Sequence, residues 1–424
     1  MIDARVCLLC IIILSSSLTL DAIRSPGRSL NSIKSAVFLS PPFFLSPGSV
    51  ANKYFFDIPF PRGHIALKSF DAEVVDEAGI PVPLHETYLH HWVVEGYYGS
   101  KTSKDPIEAS PLEFDFFDYD LVRNSGICKR TLGQYFGLGS ETRRTNTWVP
   151  DPYGIEVGNP EQIPDGFEFR WLMNVHAIDT RGVDDKNGCT ECKCSLYNVT
   201  KDEFGRPLRK GYIGGLKCCY DHTQCPVQEG FGGARRKLWL RYKVNWLDWD
   251  DTIVPVKIYI FDVTYTASAV DGALPGCKVE YQVEPCDLSD RSNDECIYTK
   301  KAKMVIPRGG DIVYGVAHQH SGGIGSALYG QDGRVLCASM PTYGDGKEAG
   351  NEKGYIVGMS TCYPKPSSVK VSDGEVLTLV SNYSSSEMHT GVMGLFYILV
   401  AETQIEEQVE VFQSLPVSMR DDAA

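Results

Sequence analysis

Short runs of β-branched and aromatic residues, each broken by glycine, proline, asparagine or aspartate, recur along almost the whole chain. KLWLRYKVNWL, VPVKIYIFDVTYTA, KAKMVIP, DIVYGVAH, EVLTLVSNY and GLFYILVAE are the clearest. Such runs suit the half-buried surface of a sheet. No stretch carries the capped apolar period near 3.6 residues that builds a helix. The expected fold class is all-β. A chain of 424 residues exceeds the usual size of one hydrophobic core, which implies two tandem β-sandwich domains, jelly-roll-like, with a disulfide-rich insertion. The first sandwich is placed at 36–270 with its insertion at 185–235, and the second at 271–405. A seam falls in the acidic loop around Asp271 to Pro275, and 406–424 reads as a polar tail.

Residues 1–24 begin with Arg5, continue through VCLLCIIILSSSLTL and end in small and turn-forming residues, the layout of a secretory signal peptide. The apolar run is too short to span a bilayer comfortably, and no later segment approaches about 18 uninterrupted apolar residues. The expectation is an exported chain with no membrane span. Without Cys7 and Cys10, twelve cysteines remain: Cys128, Cys189, Cys192, Cys194, Cys218, Cys219, Cys225, Cys277, Cys286, Cys296, Cys337 and Cys362. An even number on the export route implies disulfides. Cys337 with Cys362 is the pair expected first, and the six from Cys189 to Cys225 are expected to pair mainly among themselves. CTECKC followed by CCYDHTQC, with His222, is a rival zinc site. Sequons at Asn198 and Asn382 are candidate glycosylation sites on the same route, and the first makes the cysteine cluster an exposed, stapled loop. A formal charge of −13 argues against nucleic-acid partners, which require a concentrated basic face.

The candidate chemistry lies in histidine and methionine. His90 and His91 stand in YLHHWVV, His176 in WLMNVHAID, His318 and His320 in VAHQHSGG, and Met393 in HTGVMGLFYILVAE. Three imidazoles form one ligand set; two imidazoles and a thioether form a softer one, and redox-active copper exploits that difference. His318 and His320, at i and i+2 on a strand, project from one face. His90 and His91 are adjacent, so both reach one ion only if the strand bulges or one ring curls around its edge. Read singly, these histidines are satisfied core residues and Met393 is packing; Met388 and His389 are possible substitutes for Met393. There is no GxSxG, and HETYLHH lacks the i, i+4 histidines of a zinc protease, which leaves Glu86 as a strand-edge carboxylate. The glycine-rich stretches precede no helix that would bind phosphate.

In order and local setting these motifs resemble the copper type II, ascorbate-dependent monooxygenases, the group of the peptidylglycine α-hydroxylating and dopamine β-hydroxylating enzymes. The resemblance implies two β-sandwich domains, each with one copper on either side of a solvent-filled cleft. His90, His91 and His176 would hold the electron-storing ion, and His318, His320 and Met393 the oxygen-activating one. A closer resemblance, carried by FLSPPFFLSPGSV, PLHETYLHHWVV, HQHSGGIGSALYGQDGRVLC, GNEKGYIVGMSTCYP and MHTGVMGLFYILVAE, is to the stress up-regulated nodulin family of plants. Departures from the peptide-hydroxylating pattern are specific. Val316 replaces the arginine that helps hold the substrate carboxylate, Leu395 an asparagine and Gly394 a disulfide cysteine, while Tyr397 is retained as a candidate substrate-binding residue. A glycine-extended peptide would therefore lack its charge-assisted partner. The implied function is a secreted copper-binding protein with two ions per chain and ascorbate as reductant, hydroxylating an unknown small molecule or peptide in the apoplast or cell wall, or in the vacuole. The alternatives are a non-catalytic extracellular copper-binding or cell-wall interaction protein, and a structural protein whose histidines are core.

Overall fold

The computed structural model describes residues 32–109, 119–267, 276–286 and 296–403. The leader, the Asp271–Pro275 seam and the 406–424 tail lie outside the described residues. The chain is all-β, with the short helices Lys186–Thr190 and Cys194–Tyr197 confined to the insertion.

Burial along each strand follows its place in a sheet. Val376–Ser384 alternates half-buried and buried positions, as a strand with one face on the core must, whereas Phe167–Asp179 and His389–Glu402 are buried over nearly their whole length and run centrally. One sheet of ten strands carries the order Lys34–Leu39, Arg236–Asp248, Ile65–Val75, Tyr153–Val157, Val254–Asp262, His389–Glu402, Gly310–Gln319, Lys370–Val371, with Phe43–Leu45 and Glu280–Val283 attached at its sides. A six-stranded sheet centres on Phe167–Asp179 between Val50–Phe55 and Thr87–Ser100. A four-stranded sheet carries Ile297–Val305, Val376–Ser384, Gly323–Tyr329 and Val335–Ser339. The large sheet is continuous across the segment where a seam was expected. Val254–Asp262 pairs antiparallel with His389–Glu402, from Lys257↔Val400 to Asp262↔Leu395. One hydrophobic core joins Trp92 and Trp171 of the first half to Leu379 and Phe396 of the second.

Six disulfides cross-link the described chain. Cys337 bonds Cys362, the pair expected first. Within the insertion Cys189 bonds Cys225, Cys192 bonds Cys219 and Cys194 bonds Cys218. These bonds remove the thiolates a zinc ion would need, and His222, 86% exposed, pairs instead with Asp221. The insertion is stapled as expected, and much of it, residues 204–207 for example, is exposed. Its cysteines are buried, with Cys189, Cys192, Cys219 and Cys225 part of the main hydrophobic core. Asp221 fastens it to the Val50–Phe55 strand by accepting the Asn52 N–H and pairing with Lys53. Asn198 is exposed in a left-handed helix cap; Asn382 lies mid-strand, its side chain bonded to Thr299.

Candidate metal centre

His90 and His91 reach the same side because the strand bulges between them and its partner. In the pairing of Thr87–Ser100 with Phe167–Asp179, His91 faces His176 and Leu89 faces Ala177, so His90 is the extra residue without a partner. That slip rotates its ring toward the others. The His90 and His176 ring centroids stand 4.6 Å apart, His91 and His176 5.1 Å, and a ligand nitrogen from each of the three lies within 4.8 Å of the others.

The second group comes from the other end of the chain. His318 pairs with Leu395, and the register, carried one residue past the strand end, sets Met393 opposite His320. Met393 therefore leaves the same strand face as Leu395. The Tyr383 hydroxyl joins the two segments, accepting the His320 N–H at 2.8 Å and donating to the Met393 carbonyl at 2.6 Å. Gly322 turns the chain after His320 at φ +89, where a Cβ would strike the His389 ring. His389 Nδ1 lies 2.6 Å from Glu191, the same arrangement that His318 Nδ1 makes with Glu141, and Met388 is 38% exposed.

The resemblance implies a cleft between the two groups, but the structure brings them into contact. The His90 and His320 rings meet at 4.8 Å, and His320 meets His318 at 5.2 Å. The bulge turns His90 toward the second half, and Gly139 permits the close approach: a Cβ there would meet the His90 carbonyl, Glu141 and His318. The Cys192–Cys219 disulfide closes the cluster on another side, its sulfurs within 4.8 Å of a His90 nitrogen.

Outer hydrogen bonds orient the peripheral rings. The Asn174 amide nitrogen donates to Asn52 and to the Lys53 carbonyl, which leaves its oxygen to accept from His91 Nε2 at 2.6 Å and frees His91 Nδ1. Glu141, fully buried, accepts the Gly139 N–H with one oxygen and holds His318 Nδ1 at 2.6 Å with the other, which frees His318 Nε2. Metal-ligating histidines are commonly held in this way. At the centre, His90 Nδ1, both His176 nitrogens and His320 Nε2 are buried without a hydrogen-bond partner. The Cys219 backbone lies near the His176 ring and the Gly391 backbone near the His320 ring, each opposing the loss of a proton there. Each such orphan costs about 1–3 kcal/mol in a core, and their concentration at one point fits an ion-binding cluster better than packing.

Charge state agrees with that role. Burial first, then the neighbouring His176, His320, His91 and His318, hold His90 well below the ordinary histidine value. Burial with His91 and His320 does the same to His176, and burial with His318 and His91 to His320. Burial lowers His91 to about 4 against the opposing Asn174 bond. Near pH 7 these imidazoles are neutral, the state that offers a lone pair to a metal.

A cavity of about 40 Å³ is walled by Phe70, Phe136, Tyr135, Tyr314, Val316 and Tyr397 among others; neither a charged side chain nor any of the six candidate ligands lines it. Val316 and Tyr314 precede His318 by two and four residues on the same face. Tyr397 pairs with Val316 and accepts a hydrogen bond from Gln134. Of the residues singled out in the sequence, His90, His91, His176, His318 and His320 come into ring contact, while Glu141, Asn174, Tyr383 and the Cys192–Cys219 wall were not singled out. None of these stands in a recognisable motif, and Glu141 is 177 residues from the ring it holds.

The fold and this centre define an all-β, disulfide-stapled protein with a buried, hydrogen-bond-oriented histidine cluster. The chain belongs to the family described as Stress up-regulated Nod 19, matched over residues 31–403. No curated protein matches it. Among solved structures it is similar to the VP2 subviral particle of infectious bursal disease virus, at 10% identity over 87% of this chain and 72% of that one, with a TM-score of 0.18. The T13 particle of the same virus gives 8% identity, 87% and 69% coverage and a TM-score of 0.16. Scores that low carry no argument about this chain. Among the described residues, no helix is long and apolar enough to cross a membrane.

Proposed function

We propose that this chain binds copper through His90, His91, His176, His318, His320 and Met393, and that it is an ascorbate-dependent monooxygenase acting on a small neutral molecule outside the cell, in the apoplast or cell wall. The observation that carries this reading is the set of unpartnered, buried imidazole nitrogens on rings whose outer neighbours are fixed by Asn174 and Glu141. Neutral imidazoles with one thioether suit copper in both of its oxidation states. Bound copper would supply one-electron transfer from ascorbate and activation of dioxygen.

The chain's own residues supply the rest. Asn174 and Glu141 fix the tautomers of His91 and His318 and keep their lone pairs directed inward. Burial of the cluster excludes bulk water. Val316, two residues before His318, offers no cation to pair with a carboxylate, which favours a neutral substrate. Six disulfides fit an oxidising compartment.

A second reading, copper binding without catalysis, is favoured by cavity size. The cavity lined by Val316 and Tyr397 is about 40 Å³, against roughly 150 Å³ for an engineered apolar cavity that holds benzene, so an organic substrate needs side chains to move. Oxygen uptake separates the two. The copper-loaded protein with ascorbate is expected to consume oxygen faster than the same concentration of free copper, and His320→Ala is expected to remove the excess. Uptake no greater than that of free copper would leave the binding-only reading.

A further inference from the structure

The two ligand groups form one connected centre, and we infer that two copper ions bound there are magnetically coupled rather than held as independent mononuclear sites. This rests on the copper reading above and extends it. Each group has a member in ring contact with the other: His90 meets His176 at 4.6 Å, His91 at 5.6 Å and His320 at 4.8 Å, and His320 meets His318 at 5.2 Å.

The free nitrogens concentrate where the groups meet. The peripheral rings turn one nitrogen outward, His318 to Glu141 and His91 to Asn174. The rings between them, His90, His176 and His320, retain the unpartnered buried nitrogens. The close nitrogen trio is His90, His91 and His176, and His320 joins it through its ring contact with His90. His90, His176, His318 and His320 are all buried from bulk solvent. Metal–nitrogen bonds are about 2 Å long for a comparable ion, so ions held by rings in contact need only small side-chain shifts to lie within the roughly 3.5–4 Å of two-metal sites. The Cys192–Cys219 disulfide and the Tyr383 bridge between His320 and Met393 hold the sides of the centre closed.

The test is electron paramagnetic resonance of the intact, disulfide-bonded protein loaded with two equivalents of Cu²⁺, with bound copper counted independently. The expected result is two bound ions per chain with spin intensity well below the copper content, or a half-field transition from a coupled pair. His90→Ala should restore full, uncoupled spin intensity for whatever copper remains. Two bound ions giving the full intensity of two non-interacting centres in the unaltered protein would overturn the coupled centre while leaving the copper reading intact. One ion per chain would also overturn it. No bound copper would remove the copper reading itself, and the inference with it.

Discussion

Replacing both Cys128 and Cys277 with serine is expected to lower stability by about 4–5 kcal/mol, the size that chain entropy assigns to a bridge of this span. The bond joins residues 149 apart in sequence, on either side of the segment where a seam was expected. The Cys189–Cys225 bridge already shortens that loop by 36 residues, which trims the contribution by only roughly 0.2–0.3 kcal/mol because loop entropy varies with the logarithm of length. Against a typical total of about 5–15 kcal/mol the loss is large. Denaturant titration of the double variant and the parent in non-reducing buffer measures it. A loss below about 1 kcal/mol would mean that the continuous sheet, through Val254–Asp262 and His389–Glu402, holds the two halves together unaided.

The second large effect concerns Glu141. Glu141→Ala is expected to weaken copper retention about 10–100-fold, the usual consequence of removing the group that orients a ligating histidine. His318 would lose the acceptor at its Nδ1, and the Gly139 N–H would lose its own. Glu141→Gln keeps one oxygen to accept from His318 and should recover much of that loss. Competition against a copper chelator, with the unfolding midpoint of each metal-free variant measured alongside, separates orientation of the ring from collapse of the turn. If alanine and glutamine weaken copper equally and in step with stability, Glu141 supports only the Ser140–Arg143 turn, which it shares with Thr142 as acceptor for Trp92 and Ala72.

Much of this was legible in the sequence because the relevant physics is local. Alternation and β-branched runs define strands, and the His-x-His spacing places His318 and His320 on one face. The adjacent pair His90-His91 posed its own geometric condition, a bulge, and the pairing of His91 with His176 and of Leu89 with Ala177 meets it. Contacts made over long separations were not legible. GLGSETRR gives no sign that Glu141 will hold His318, because the turn is positioned by bonds from distant strands, such as Ser140 to the Ile356 carbonyl. The cysteine spacings imply bridges but not that Cys192–Cys219 will lie against His90. The contact between the two histidine groups depends on Gly139 and on how the sheets meet, and no single motif encodes that.

Copper content decides whether the buried histidine cluster is a copper site. The intact protein, made through a secretory route, is equilibrated with copper, dialysed against a weak chelator and measured by atomic absorption beside His176→Ala, with disulfide integrity and thermal midpoint checked for both. About two coppers per chain are expected in the parent, as in a paired-metal site, with a clear loss in the variant. A correctly bridged, folded parent that retains no copper would contradict it and leave the cluster as core packing.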